Sequence, residues 1–199
     1  MSSSSRHCAA RGNLRGVNPA RPDTLEQIES ACWREIELAA RDRQHPWRVM
    51  ALATASTDGA DARLVVLRDT RAAARELIFY TDDRSPKIRQ AQTQPKGTLL
   101  LWSAPLAWQL RLRVTLGVAS DGLDVSSRWA RLRLTPAASD YLAPLAPGTP
   151  LAAPGRERGA RDYFAVVVAK VDAMDWLELH PQGHRRAHFD LDGARWVQP

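Results

Sequence analysis

Ser85-Pro86-Lys87, flanked by Arg84 and Arg89, is the stretch whose residue types point most directly to chemistry. Serine is a favoured helix N-cap and proline is favoured at the first helical position. Lys87 then stands second in the helix, where free backbone N–H groups and the positive end of the dipole already favour an anion. Capping alone would also account for a Ser-Pro start. A second cationic stretch strengthens the anion reading. Arg63-Leu64-Val65-Val66-Leu67-Arg68 is an apolar strand with a guanidinium at each end. In isolation such arginines snorkel into solvent. In a regular strand Arg63 shares a face with Val65 and Leu67, and Arg68 with Leu64 and Val66. The two arginines therefore serve different sites unless a bulge intervenes.

The elements that must position these residues follow from periodicity. Leu25, Ile28, Cys32, Ile36 and Ala39 recur at helical spacing and predict an amphipathic helix over 24–42. Asp23 at its cap and Glu26 three later form an acidic capping box, and His45-Pro46 ends it. Val49–Ala55 and Arg63–Arg68 read as strands joined by the Ser56-Thr57-Asp58-Gly59 turn, with Asp-Gly at its centre. Further strands are expected at Glu76–Tyr80 and Leu99–Trp102, with a short helix over 86–93 between them. In Trp108–Val118 the apolar residues alternate without a break against Gln109, Arg111, Arg113 and Thr115, the pattern of a half-buried antiparallel strand. Helices are expected at 125–134 and 137–142, and a Pro/Gly-rich loop at 143–160. Strands at 163–171 and 175–179 and a hairpin over Phe189–Trp196 complete the chain. Six or seven strands without βαβ alternation predict a mainly β fold, a small antiparallel barrel with helices packed outside.

Composition limits the function classes. The chain has 199 residues and a net charge of +6. Four basic residues, Arg6, Arg11, Arg15 and Arg21, lie in an acid-free stretch over residues 1–22, so the remainder is nearly balanced. That argues against a clustered nucleic-acid footprint. Residues 1–22 read as a disordered basic tail, although a transit peptide is also Ser/Arg-rich and acid-free. Residues 23–199 read as a single domain. Cys8 and Cys32 form no CxxC or disulfide framework, which fits a reducing, cytoplasmic setting. The longest apolar runs, such as 164–169, are too short to span a bilayer. His180, His184 and His188 are spaced by four, but Pro181 and Gly183 oppose a helix there, so they read as a solvated loop and no metal site is expected.

The order Arg63-x-Val-Val-Leu-Arg68, Phe79-Tyr80-Thr81-Asp82, Ser85-x-Lys87, Gln109 in an alternating strand and Trp176 in a late one resembles the pyridoxamine 5′-phosphate oxidase family of FMN-binding split β-barrels. The resemblance covers about residues 45–119 well and 163–199 more loosely. It implies an FMN-dependent oxidoreductase, homodimeric, with the flavin at the subunit interface and a hydride passing from a small substrate to FMN. Arg63 and Lys87, with Ser85, Pro86 and the helix start, would hold the FMN phosphate. Leu64, Val65, Val66 and Leu67 would line the isoalloxazine, and Tyr80 and Thr81 the ribityl and phosphate side. Gln109 would bond the ring's polar edge, and Trp176 with Arg186 would come from the partner subunit. Arg68 would face the substrate, and Arg133, His184 and His188 are further substrate-side candidates.

The chain departs from that family at four places. The family's Ser-Arg-Lys is Ser85-Pro86-Lys87 here, with Arg84 or Arg89 near enough in sequence to replace the missing guanidinium. The substrate-phosphate region reads Arg128-Trp129-Ala130-Arg131-Leu132-Arg133. The C-terminal Arg-x-His-x-Arg is replaced by 184–188, where Arg186 or His188 could make the flavin contact. No Gln-Ser flavin contact appears before residue 163. Two other classes remain: a flavin-binding protein of this fold with another substrate or no turnover, and a basic small-barrel nucleic-acid binder using the tail with Arg111 and Arg113.

Overall fold

The computed structural model describes residues 21–153, 157–159 and 162–199. The tail read over residues 1–22 therefore lies, but for its last two residues, outside the described residues. Helix α1 (Leu25–Arg41) buries Ile28, Cys32, Ile36 and Ala39 as their spacing requires, together with Ala31. Its cap falls one residue later than expected. Thr24 accepts from the Gln27 amide at 3.2 Å, and Gln27 Oε1 accepts from the Thr24 and Asp23 amides at 3.3 and 2.9 Å. A threonine with a glutamine three residues on makes the reciprocal pair that Asp23 and Glu26 cannot make from one position earlier.

Among the described residues eight antiparallel strands follow: β1 (Val49–Ser56), β2 (Gly59–Arg71), β3 (Glu76–Asp82), β4 (Lys96–Ser103), β5 (Trp108–Ala119), β6 (Phe164–Glu178), β7 (Arg185–Asp190) and β8 (Gly193–Val197). Their order is β3-β2-β1-β4-β5-β6-β7-β8, and β3 also pairs with β6, so the first six strands close on themselves. Closure leaves β3 and β6 without a free edge. The β1–β2 turn pairs Ser56 with Gly59, which puts Thr57-Asp58 at its centre and Gly59 at φ +117°, a conformation that favours glycine. The eight strands differ from the expected six or seven through two opposed changes, a merger that removes one strand and a hairpin that supplies two. The segments 163–171 and 175–179 are one strand, in which Asp172 is an extra residue opposite Arg113 and Val114. A bulge absorbs the polar residue without breaking the ladder, and its carboxylate is held by Thr115 at 2.7 Å and Lys96 at 3.0 Å. The final hairpin starts four residues earlier than expected and supplies two strands.

The barrel interior is lined by the alternating apolar residues of each strand. Trp108, Leu110, Leu112, Val114 and Leu116 of β5 are all buried. Helix α2 (Pro86–Thr93) packs on β1 and β5 and buries Ile88 and Ala91 in this core. Helix α3 (Leu123–Leu132) packs on β6 over a second apolar cluster of Ile78, Val125, Tyr141, Phe164 and Val166. The helix expected at 137–142 is a 3-10 turn, Pro136–Tyr141. Among the described residues no helix is long and apolar enough to cross a membrane.

Candidate functional site

Ser85 is the N-cap of α2 and is fully buried, yet its hydroxyl caps no backbone amide. It faces Thr81 Oγ1 at 3.1 Å instead, and Lys87 Nζ donates to both hydroxyls, at 2.9 Å to Thr81 and 3.1 Å to Ser85. An ammonium carries three donors and each hydroxyl one. Within this trio two ammonium donors and one hydroxyl donor are used, leaving one N–H and one O–H to bond something else. The cluster is rich in donors at a helix start, the chemistry of an anion cradle.

Arg63 approaches the same place from β2. Its guanidinium donates to Thr54 Oγ1, to Gln90 Oε1 at 2.9 Å, and pairs with Asp61. Gln90, on α2, also donates to Asp61 at 2.9 Å and accepts from Thr54 at 2.7 Å. Burial pushes the Lys87 ammonium below its ordinary pKa, and the nearby Arg63 charge pushes it the same way. Asp61 is held below the usual carboxylate range by the Gln90 amide first and then by the Arg63 and Lys87 charges. Two cations from separate elements thus meet at the start of α2, with the Asp82 and Asp61 carboxylates acting on Lys87 in the opposite sense. These residues fit a phosphate monoester. Thr54, Asp61 and Gln90 were missed by the sequence reading, because nothing in their spacing shows that α2 folds over β1 and β2.

The model of the pyridoxamine 5′-phosphate oxidase FMN-binding domain matches residues 30–120. A curated pyridoxine/pyridoxamine 5′-phosphate oxidase of Caulobacter vibrioides is 30% identical over 201 residues, spanning 92% of this chain and 90% of the relative. The chain belongs to the pyridoxamine 5′-phosphate oxidase family. Another relative of that name, from Rhodopseudomonas palustris, is 37% identical over 87 residues, covering 42% of this chain and 40% of its own. Among solved structures, an FMN-binding protein of Nostoc punctiforme related to pyridoxamine 5′-phosphate oxidase superposes with a TM-score of 0.66 at 22% identity, covering 85% of this chain and 96% of that one. PhzG of Burkholderia lata, solved with tetrahydrophenazine-1-carboxylic acid, superposes at 0.65 with 18% identity, covering 94% and all of its own chain. These likenesses show the oxidase-family split barrel.

Strand alternation sorts the residues that the family resemblance singled out. Val65 and Leu67 are buried in the barrel, while Leu64 is 71% exposed and Val66 half-buried on the outer face. Only Leu64 and Val66 therefore present side chains outward. Thr81 belongs to the cradle, but Tyr80 faces the other way and packs edge-on against Phe164 with ring centroids 4.9 Å apart. Arg68 lies in a bulge between Leu67 and Asp69, so alternation no longer decides its direction there and its contacts do. Its guanidinium stands 5.9 Å from the Tyr80 ring centroid, and its charge acts on the Tyr141 phenol, whose pKa burial nonetheless raises. Arg128 joins that group, donating to Tyr80 Oη at 3.2 Å, Asp69 at 3.0 Å and Asp124 at 3.0 Å. Arg133, at the end of α3, is exposed.

Neither candidate for the missing family guanidinium stands in the cradle. Arg84 is bound to Asp82 and to the carbonyls of 143–145, and Arg89 is exposed and donates to the Arg84 carbonyl at 3.4 Å. Gln109 lies on the outer face of the sheet, in one cross-strand row with Trp102, Leu177 and Arg186. With strands about 4.8 Å apart, Gln109 and Arg186 are separated by about 10 Å. Arg186 is engaged by Asp175 at 2.8 Å, which Arg111 also binds at 2.6 Å. A cavity of about 140 Å³ lined by Thr98, Arg111, Arg113, Asp175 and His188 opens on this face. His188 pairs with Asp190 at 3.0 Å, while His184 is exposed and accepts from the His180 amide at 3.1 Å.

Trp176 departs most from expectation. Alternation along β6 turns it inward with Met174 and Glu178, fully buried and edge-on to Trp108 at 5.4 Å. Its side chain is a core element and offers no surface to a partner subunit. A larger groove, between α1 and the loops at 105–107 and 178–181, is lined by none of the predicted site residues.

Proposed function

We propose that this chain is an FMN-dependent oxidoreductase acting on a small substrate, and that it works as a homodimer through the outer face of its sheet. The observation that carries the reading is the donor-rich cradle of Thr81, Ser85 and Lys87, with Arg63 brought to it from β2. A phosphate monoester carries nearly two negative charges at neutral pH. Each charge-assisted hydrogen bond to it contributes on the order of 1.5–3 kcal/mol. When bound, FMN supplies the two-electron redox chemistry, and the residues of the chain supply binding and orientation. Arg63 and Lys87 hold the phosphate, Leu64 and Val66 offer an apolar surface outside the barrel, and Gln109 offers an amide at the ring's polar edge. Arg68, on a different face, serves the substrate. The curated relatives' activity, oxidation of pyridoxine or pyridoxamine 5′-phosphate, is the first substrate class to test.

Dimerisation through the outer face draws on its side chains. Val49, Leu64, Leu100 and Trp102 are each 40% or more exposed there. Leu64, Ala51 and Leu100 stand in one cross-strand row that continues into Arg111 and Asp175. Apolar residues aligned across strands and bordered by ion pairs form the kind of surface a two-fold dimer covers.

Protein purified without added cofactor should be yellow and release FMN, not FAD, on denaturation. Anaerobic addition of pyridoxine 5′-phosphate should bleach the bound flavin. Arg68→Ala should retain FMN and bleach at least tenfold more slowly. A colourless protein that takes up no FMN sinks the reading. A second reading, flavin binding without turnover of the vitamin phosphate, is favoured by one observation: Arg128 is already occupied by Asp69 and Asp124. A yellow protein that never bleaches would select it.

A further inference from the structure

Arg84 ties the turn that opens α2 to the 143–145 segment. Its Nε and Nη2 donate to the two Asp82 carboxylate oxygens at 3.0 and 2.7 Å. The same guanidinium donates to three successive carbonyls, Ala143 at 2.8 Å, Pro144 at 3.2 Å and Leu145 at 3.3 Å. Its central carbon lies 3.2 Å from the centroid of the Tyr163 ring. Asp82 ends β3, three residues before Ser85, and is 5% exposed. The neighbouring Asp83 amide donates to the Tyr163 carbonyl at 2.8 Å, and the Tyr163 amide donates to the Tyr141 carbonyl at 3.0 Å. The Tyr141 phenol in turn feels the Arg68 charge, which opposes the upward push of burial on its pKa. A continuous set of contacts therefore runs from the turn that opens α2 to the phenol beside Arg68, and Arg84 is its centre.

We propose that Arg84 is a positioning residue that couples the cradle to the 141–145 segment, so that filling the cradle tightens the segment presenting Tyr141 to Arg68. The proposal rests on the reading that the cradle takes the FMN phosphate. An anion held by Ser85 and Lys87 restrains the 82–87 turn. Arg84 transmits that restraint because a planar, five-donor fork can satisfy a carboxylate and several carbonyls in one geometry, which a lysine ammonium cannot. Ordering by one ligand lowers the ordering cost for the next, which is positive coupling without any change of fold.

The test is hydrogen–deuterium exchange of the full chain with and without FMN, for the wild type, Arg84→Ala and Arg84→Lys, with the FMN Kd measured on each. In the wild type, FMN should slow exchange of the 141–145 amides by about fivefold or more, the lower end of ordinary coupling energies. Both variants should bind FMN with nearly unchanged Kd, since Arg63 and Lys87 are intact, while the 141–145 amides cease to respond. Substrate KM should rise in both with little change in kcat. Arg84→Lys keeps the charge beside Asp82, so it supplies the readout if the alanine variant does not fold. A variant whose 141–145 amides still respond to FMN as the wild type does would overturn the proposal. So would a wild type that binds FMN with no response there. Failure of the wild type to bind FMN would bring down the functional reading itself, and this proposal with it.

Discussion

Lys87 reaches back across the turn between β3 and α2 to Thr81, Nζ to Oγ1 at 2.9 Å. The contact fixes the ammonium over the barrel mouth, where burial and the Arg63 charge both lower its pKa from 10.5. A cation whose pKa is lowered loses its charge at a lower pH than a free lysine, and a bound phosphate restores it. FMN affinity should therefore fall as pH rises, beginning at a lower pH than the titration of a free lysine. Fluorescence-quenching titrations should show this fall in the wild type and its absence in Lys87→Arg. Lys87→Ala should weaken binding at neutral pH by roughly 10- to 100-fold, the loss of one charge-assisted contact.

Asp61 occupies the Arg63 guanidinium that the phosphate needs, with Gln90 bridging the two. Removing its charge should free Arg63. Asp61→Asn should tighten FMN binding by about three- to fivefold, in line with the modest strength of a half-exposed pair. Salt should weaken binding more steeply in the variant, where no internal carboxylate competes. An unchanged Kd in calorimetry would mean that Arg63 does not contact the phosphate.

Leu100 sits in the centre of the outer-face row, with Ala51 on one side and Arg111 on the other. Leu100→Asp places a charge where a second copy would bury a leucine. Sedimentation should show a dimer for the wild type and a monomer for the variant, with bound flavin lost in parallel. Thermal melting of the variant should stay near that of the wild type, because Leu100 is 40% exposed and contributes little to the barrel core. A variant that remains dimeric would remove the outer face as the interface.

Glu178 is a buried carboxylate that holds its charge. Burial would raise its pKa, but hydrogen bonds from Arg21, Arg185 and the Trp108 indole outweigh that and hold it at about 2 against an ordinary 4.5. Because the folded pKa is depressed, the stabilisation is complete above about pH 4.5 and is lost as pH falls towards 2. Urea midpoints of the wild type should decline across that window. Glu178→Gln should start lower at neutral pH and lose less on acidification, since the Arg185 and Arg21 charges then face a neutral amide at every pH.

Much of the fold was legible because β-strand burial has a period of two and needs no partner to be read. The unbroken alternation of Trp108–Val118 became β5 with every apolar residue inward, and the α1 face matched its helical spacing. A strand break was misread where a bulge at Asp172 carries one strand past a polar residue. A bulge depends on which strand lies opposite, and the sequence of β6 does not contain that information. At the site, Ser85 and Lys87 stand where their order in the helix start requires. Tyr80 and Trp176 do not stand where the resemblance implied, because each is governed by the face its strand turns to the core.

Sequence by itself determined the local chemistry of this protein: a serine and a lysine at a helix start, an arginine at each end of an apolar strand, and the alternation that makes a barrel. These are nearest-neighbour properties, set by capping, helix dipole and side-chain period. Tertiary structure alone decided that Arg63 comes near Lys87 while Arg68 turns to the Tyr80 ring, that Asp61 and Gln90 engage the Arg63 guanidinium, and that Arg84 binds the 143–145 carbonyls. Those outcomes depend on how β2, β3 and α2 pack around one barrel mouth, where residues distant in sequence compete for the same few ångströms.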